Sequence, residues 1–160
     1  MTQLTFDEIV FITSFLSLIP IIILSIYWVL KKEIHSVVLR NISGFGIGIL
    51  DQFLMIAFGW HQTIIPIVIL FDYGLYGTWF LLMPAWNNVK RKKVWIPVWI
   101  IFSGVFNTIL ENCIRIYSYG TLNYPSGWNQ LHTLIFYLSM HTIGTIIASL
   151  NIFIKQQAKT

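Results

Sequence analysis

Charged residues are scarce in this sequence. Only 10% of its 160 residues are Asp, Glu, Lys or Arg, whereas 56% are hydrophobic. A soluble domain carries about 25% charged residues, so this chain has too few polar side chains to cover a water-exposed surface. The net charge of +4 comes from basic residues between apolar runs, which do not form the basic face of a nucleic-acid-binding fold. The composition therefore argues against a nucleic-acid partner and predicts a protein embedded in the lipid bilayer.

Cysteine is almost absent, and the N-terminal segment has no basic residue. Cys113 is the only cysteine, which excludes an intrachain disulfide, and its place in an apolar run predicts an inert, buried thiol. Residues 1–8 contain no Lys or Arg, whereas a cleavable signal peptide begins with a basic region. The apolar run from Ile9 to Leu30 is therefore predicted to be a membrane-spanning helix.

Five apolar segments have the length of about 20 residues that crosses the hydrocarbon core. We predict an all-α fold, in which residues 1–160 form one polytopic transmembrane bundle of five helices. The second segment is rich in glycine and contains Asp51. A four-span alternative would leave it re-entrant, which is tolerated only where protein covers it. The predicted spans are about 9–30, 41–60, 63–84, 94–116 and 131–154.

The basic residues predict the orientation of the bundle. In the five-span arrangement, nine of the ten Lys and Arg residues lie on one side, and the tenth is Arg115. The positive-inside rule assigns the side with the nine to the cytoplasm. We therefore expect the N-terminus outside and the C-terminus in the cytoplasm. The nine are Lys31, Lys32, Arg40, Lys90, Arg91, Lys92, Lys93, Lys155 and Lys159.

Two aspartates flank the predicted turn between the second and third spans. Asp51 and Asp72 each lie about ten residues from it, so at about 1.5 Å per residue both are about 15 Å from the outer surface. Gly44 and Gly48 share a helix face with Asp51, and such a pair of small residues admits a second helix at close range. We therefore predict that Asp51 points into the bundle.

The fourth and fifth spans add further polar residues. Asn107, Glu111 and Arg115 follow one another at four-residue spacing and form one stripe, in which Glu before Arg favours an ion pair. His141 lies about ten residues into the fifth span, near the predicted depth of the aspartates. The candidate residues for ligand binding, or for a proton or ion pathway, are Asp51, Asp72, Asn107, Glu111, Arg115 and His141. No catalytic residue, metal ligand or cofactor is assigned.

The charge of these residues leaves three functions open. Three carboxylates and one arginine in the spans leave two uncompensated negative charges, each costing about 2.5–3.5 kcal/mol at a helix centre. Protonation, a charged His141 or a bound cation would relieve them, as in ion- or proton-coupled transport by this chain or by a complex of which it is a subunit. Alternatively, the polar residues form structural hydrogen bonds between the helices, in an accessory protein that stabilises a partner complex.

An intramembrane metal-dependent enzyme is the third alternative, and an enzymatic role is the least favoured. Asp51, Asp72, Glu111 and His141 have ligand types that suit Zn²⁺ or Mn²⁺, but no H-E-x-x-H spacing is present. Besides the lipid bilayer, the expected partners are a second copy of the chain or a membrane partner protein, since glycine-rich faces favour helix packing.

One short motif carries a family resemblance. The stretch FDYGLYGT over residues 71–78, with an acid in the preceding span and Glu111 in the next, resembles a family of uncharacterised five-span membrane proteins from spore-forming Gram-positive bacteria. Where that family has Pro before the Thr of the motif, this chain has Gly77. The resemblance implies a bacterial cytoplasmic membrane and carries no known activity with it.

Overall fold

The computed structural model describes residues 6–59, 66–83, 91–117 and 126–157, and the regular secondary structure in these ranges is all α-helical. This confirms the predicted all-α class and the predicted number of helices. Several predicted features lie outside the described residues: the turn at 60–62, most of the 117–130 loop, Lys90, Lys159 and the side chains of Arg115 and Lys155. The five helices are α1 Phe6–Leu30, α2 Ile34–Ala57, α3 Pro66–Leu82, α4 Lys92–Tyr117 and α5 Gln130–Gln157.

Four of the helices, α1, α2, α4 and α5, are long and apolar enough to cross a membrane. The exception is α3, which has 17 residues and is shorter than the span predicted at 63–84. The glycine-rich second segment is a continuous helix of 24 residues, so the re-entrant alternative does not apply to it. It also begins at Ile34, well before the predicted start near residue 41.

Close packing of α2 on α3 determines where the polar residues meet. In the bundle, α3 lies between α1 and α2, α2 also packs on α5, and α5 packs on α4. A Cβ atom added to Gly44 would lie 2.5 Å from the Cα atom of Gly77, and one added to Gly48 would lie 3.0 Å from the backbone nitrogen of Tyr73. The prediction that Gly44 and Gly48 admit a second helix is confirmed, and that helix is α3.

The bundle has apolar residues outside and polar residues inside. Large hydrophobic side chains on α1 and α4, such as Phe11, Ile23, Ile101 and Ile109, are more than half exposed. Among the described residues, by contrast, as many buried side chains are polar or charged as are hydrophobic. Water would penalise such an exposed apolar surface, whereas lipid accommodates it. This distribution is typical of a helical membrane protein.

With the second span predicted to begin near residue 41, the sequence places Arg40 in the preceding loop, and this prediction is wrong. Because α2 begins early, Arg40 falls inside it and is only 2% exposed. Its Nη1 atom donates a hydrogen bond to the carbonyl oxygen of Leu81 at 3.1 Å, and the Trp28 Nε1 atom donates to the same oxygen at 2.7 Å. The guanidinium also stacks over the Trp28 ring at 4.3 Å. Carbonyl groups at a helix C-terminus lack intrahelical donors, so Arg40 and Trp28 cap the end of α3.

The expectation for Cys113 is also wrong. Its thiol is exposed on the surface of the bundle, because residue 113 lies on the outward side of α4. An apolar segment of a membrane helix presents residues to lipid as well as to the interior, so its hydrophobicity alone does not imply burial.

Candidate functional site

Asp51 and Asp72 lie together between α2 and α3, and each accepts a hydrogen bond from a neutral donor. The Tyr76 hydroxyl donates to Asp51 Oδ2 at 2.7 Å, and Gln52 Nε2 donates to Asp72 Oδ2 at 2.7 Å. Asp51 is 2% exposed and Asp72 8%, and the two carboxyl groups interact electrostatically. The close approach of α2 at Gly48, where a Cβ would lie 3.3 Å from Asp72 Cβ, holds the two acids near each other.

The surroundings of this pair contain no basic partner within the part of the chain that the structure describes. The hydrogen-bond donors to the two carboxyl groups are one amide and one phenol. Asp51 Oδ1 and Gln52 Oε1 are buried and have no hydrogen-bond partner among the described residues. Buried polar atoms are almost always satisfied by protein or water. Asp51 Oδ1 is therefore unusual, because it is a buried acceptor to which no described residue donates.

His141 is fully buried in α5, and its ring nitrogens make no hydrogen bond to Asp51 or Asp72. Its Nε2 atom lies 2.9 Å from Asn107 Nδ2, and Asn107 Oδ1 accepts a hydrogen bond from Trp79 Nε1 at 2.9 Å. Because the indole N–H can only donate, it fixes the orientation of the Asn107 amide, and the amide NH₂ faces the imidazole. Nε2 is then the acceptor, and the neutral imidazole carries its proton on Nδ1.

Aromatic rings enclose His141 and separate it from Asp51. The imidazole centroid lies 5.4 Å from that of Tyr76, 5.9 Å from Phe80 and 6.3 Å from Trp79. Tyr76 contacts His141 with its ring and Asp51 with its hydroxyl, so it joins the two groups. The structure thus places His141 in the interior of the bundle, with the Tyr76 side chain between it and Asp51.

Glu111 lies one turn beyond Asn107 on α4 and is half-buried. Thr133 Oγ1 lies at 3.4 Å from its carboxylate, and Tyr137 also hydrogen-bonds to it. Glu111 interacts electrostatically with Asp51, which makes it part of the same acidic group. Its predicted ion pair with Arg115 involves a side chain outside the described residues and stays a prediction.

The interior polar residues described above form one group, which we call the polar layer: Asp51, Gln52, Asp72, Tyr76, Trp79, Asn107, Glu111, Tyr137 and His141. Sequence reasoning missed its neutral members Gln52, Tyr76, Trp79 and Tyr137. A signal for two of them was present. Tyr76 lies four residues after Asp72 and Tyr137 four residues before His141, and residues at that spacing share a helix face. The Trp79–Asn107 bond joins residues 28 positions apart, and no local pattern indicates such a pair.

The described part of the chain contains no ligand set for the metal-enzyme alternative. No group of three or more His, Cys, Asp and Glu side chains in it is arranged so that it could hold a metal ion. Comparison with protein families, with curated proteins and with solved structures gives no match for this chain.

Proposed function

We propose that this chain is a small proton- or cation-coupled membrane transport protein, or a subunit of one, and that Asp51 and Asp72 bind the transported or coupling ion. The observation that carries the proposal is the pair itself. Two carboxyl groups lie in the interior of a helical membrane protein with only neutral hydrogen-bond partners among the described residues. Ionisable residues at such positions mark ion pathways and proton relays.

The charge of the layer supports this proposal. The described α2 adds Arg40, which is buried, to the charged residues in the interior of the bundle. Arg40 lies 11 residues before Asp51 on the same helix, which is about 16 Å at about 1.5 Å per residue. Its guanidinium donates to the Leu81 carbonyl at the end of α3, so it does not neutralise the aspartates. A bound proton or cation would neutralise them.

The decisive experiment measures ion flux in liposomes that contain the purified protein. An internal pH-sensitive dye reports proton flux under an imposed pH gradient, and sodium or potassium gradients test for cations. We expect flux with the wild-type protein and its loss in Asp51→Asn and Asp72→Asn, because asparagine keeps the size and hydrogen bonding of aspartate but cannot titrate. Both variants should stay folded, since losing a buried charge is neutral or stabilising.

Glu8→Gln provides the matched control. Glu8 is an exposed acid near the start of α1, away from the polar layer, so the same chemical change there should leave flux unaltered. Wild-type liposomes without flux under any of these gradients would contradict the transport proposal. Equal flux in wild type and in both aspartate variants would exclude Asp51 and Asp72 as the ion-binding groups.

An accessory role is the second candidate, and one observation favours it. Hydrogen bonds of the layer join different helices: Gln52 to Asp72 between α2 and α3, Trp79 to Asn107 between α3 and α4, and Asn107 to His141 between α4 and α5. Such bonds would also rigidify a bundle that stabilises a membrane partner or a second copy of the chain. In that case the aspartate variants would melt at lower temperature, and the wild type would show no flux.

The proposal includes an orientation and a location. The basic residues support a cytoplasmic C-terminus, and the motif at residues 71–78 supports the bacterial cytoplasmic membrane. A reporter fused after Lys159 should be active in the cytoplasm. In a Cys113→Ser background, Ser126→Cys should react with a membrane-impermeant maleimide in whole cells, whereas Arg91→Cys should not. External labelling at position 91 would contradict this orientation.

A further inference from the structure

Buried polar side chains follow one another at every fourth position along α5. The five residues, Thr133, Tyr137, His141, Thr145 and Ser149, are all buried. The first two have hydrogen-bond partners on the protein. The last two hydroxyls, Thr145 Oγ1 and Ser149 Oγ, have none among the described residues, and neither has His141 Nδ1. We call the level of Asp51 and Asp72 the aspartate layer. Beyond it, His141, Thr145 and Ser149 form a row of polar atoms without a described partner.

Other hydroxyl groups on α5 donate hydrogen bonds to the backbone of their own helix, which distinguishes them from this row. The exposed Ser139 donates to the carbonyl of Ile135 at 2.9 Å, and the exposed Thr142 donates to the carbonyl of Leu138 at 2.7 Å. This bond to the preceding turn is open to any Ser or Thr in a membrane helix. Thr145 and Ser149 are buried and do not make it, so their hydroxyls lack the bond that Ser139 and Thr142 have.

A fourth unsatisfied atom comes from the neighbouring helix. Asn107 lies opposite His141 and Glu111 opposite Thr133, so α4 and α5 run antiparallel. Trp99 precedes Asn107 by two turns and therefore comes level with the Thr145–Ser149 segment. Its Nε1 atom is buried and has no hydrogen-bond partner in the described ranges. Two hydroxyls and two N–H donors without a described partner thus lie at neighbouring heights in the interior.

We propose that this stretch holds a chain of water molecules that leads from the aspartate layer to the α1–α2 end of the bundle. Successive members of the row are about 6 Å apart along the helix axis. One water molecule that hydrogen-bonds to two groups at about 2.8 Å each spans nearly that distance. A buried water typically satisfies about three otherwise unpaired polar groups, and the row offers such groups at every step.

Such a chain gives the proposed function a route for protons. His141 Nδ1–H is the donor nearest the aspartate layer, and the hydroxyls of Thr145 and Ser149 both donate and accept, as a relay through water requires. The presence of water does not depend on transport; only its use as a proton route rests on the proposed function. Counted from the α2–α5 contact, where Ser43 donates to the Gly144 carbonyl at 2.7 Å, Arg40 and Ser149 lie at similar heights along the bundle.

Water along the row can be tested by cysteine reactivity in the full-length protein in liposomes. In a Cys113→Ser background, Thr145→Cys and Ser149→Cys should react with a small methanethiosulfonate reagent. The rate should be at least about tenfold above that of Ser139→Cys and Thr142→Cys, because the thiolate is the reactive species and apolar surroundings suppress it. The two controls lie on the same helix and face outward. Equal, slow reaction at all four positions would overturn the proposal.

Replacement of the hydroxyls gives a second test that needs no reactive cysteine. Thr145→Val keeps the shape of threonine and removes its hydroxyl, and Thr142→Val does the same at a lipid-facing position. If Thr145 binds water, Thr145→Val should lower the melting temperature and the proton flux more than Thr142→Val does. A dry, unsatisfied hydroxyl would give the opposite result, since its removal stabilises, and a gain in melting temperature would overturn the proposal.

The outcomes separate this inference from the proposed function. Fast labelling at Thr145→Cys and Ser149→Cys in a protein without ion flux would support the water chain and contradict transport. Flux in the wild type with slow labelling at both positions would support transport and contradict the water chain.

Discussion

Gly44→Ala should loosen the contact between α2 and α3 that assembles the aspartate layer. The new Cβ atom would lie 2.5 Å from the Cα atom and 2.8 Å from the nitrogen of Gly77. Both are backbone atoms of a helix, which cannot rotate away as a flexible side chain can. Overpacking of this kind costs about 1–3 kcal/mol, and we expect the upper part of that range. Alanine recovers about 1 kcal/mol of helix propensity, so the net loss should be about 1–2 kcal/mol.

Gly46→Ala is the matched control on the same helix. A Cβ atom at Gly46 meets nothing within 4 Å, so this variant gains propensity without a clash and should be stabilised by up to about 1 kcal/mol. The propensity contribution cancels between the two variants, and the difference between them, about 2–3 kcal/mol, measures the packing cost alone. Unfolding of the purified proteins by SDS titration in mixed micelles gives both free energies.

The same variant also tests the connection between packing and function. Widening the gap between α2 and α3 would lengthen the 2.7 Å bond from Gln52 to Asp72, and a shift of about 1 Å exceeds hydrogen-bonding range. Gly44→Ala should therefore reduce ion flux, while Gly46→Ala should not. Equal stability of the two variants would refute the reasoning, because it would mean that α3 does not approach Gly44 as closely as described.

Two further substitutions test the polar contacts between helices. Asn107→Leu should lower stability by about 2–5 kcal/mol, since it leaves both Trp79 Nε1 and His141 Nε2 buried without their partner; melting no lower than wild type would contradict the described amide orientation. Arg40→Lys should cost about 1–3 kcal/mol in the same assay, because an ammonium group cannot stack and reach the Leu81 carbonyl as the planar guanidinium does. An unchanged unfolding free energy would show that the cap on α3 does not contribute to stability.

Several features of this protein were predictable because they depend on local sequence. The low charge and long apolar runs indicate membrane helices, since a helix in lipid must satisfy its backbone internally and bury few charges. The spacing of Gly44, Gly48 and Asp51 indicates one helix face, because side chains repeat every 3.6 residues. These patterns were enough to predict five helices, the interior position of Asp51 and the glycine contact.

Tertiary structure alone decided which side chains meet. Helical periodicity shows which face a residue lies on but not which helix covers that face, so the Tyr76–Asp51 and Trp79–Asn107 bonds were not predictable. The same reason explains why Arg40 was assigned to a loop: a basic residue near an apolar segment usually marks its end, and only the cap on α3 shows why this one is buried. The sequence thus determined the environment of the chain, whereas the packing of α3 between α1 and α2 determined the site, because it joins residues that are distant in sequence.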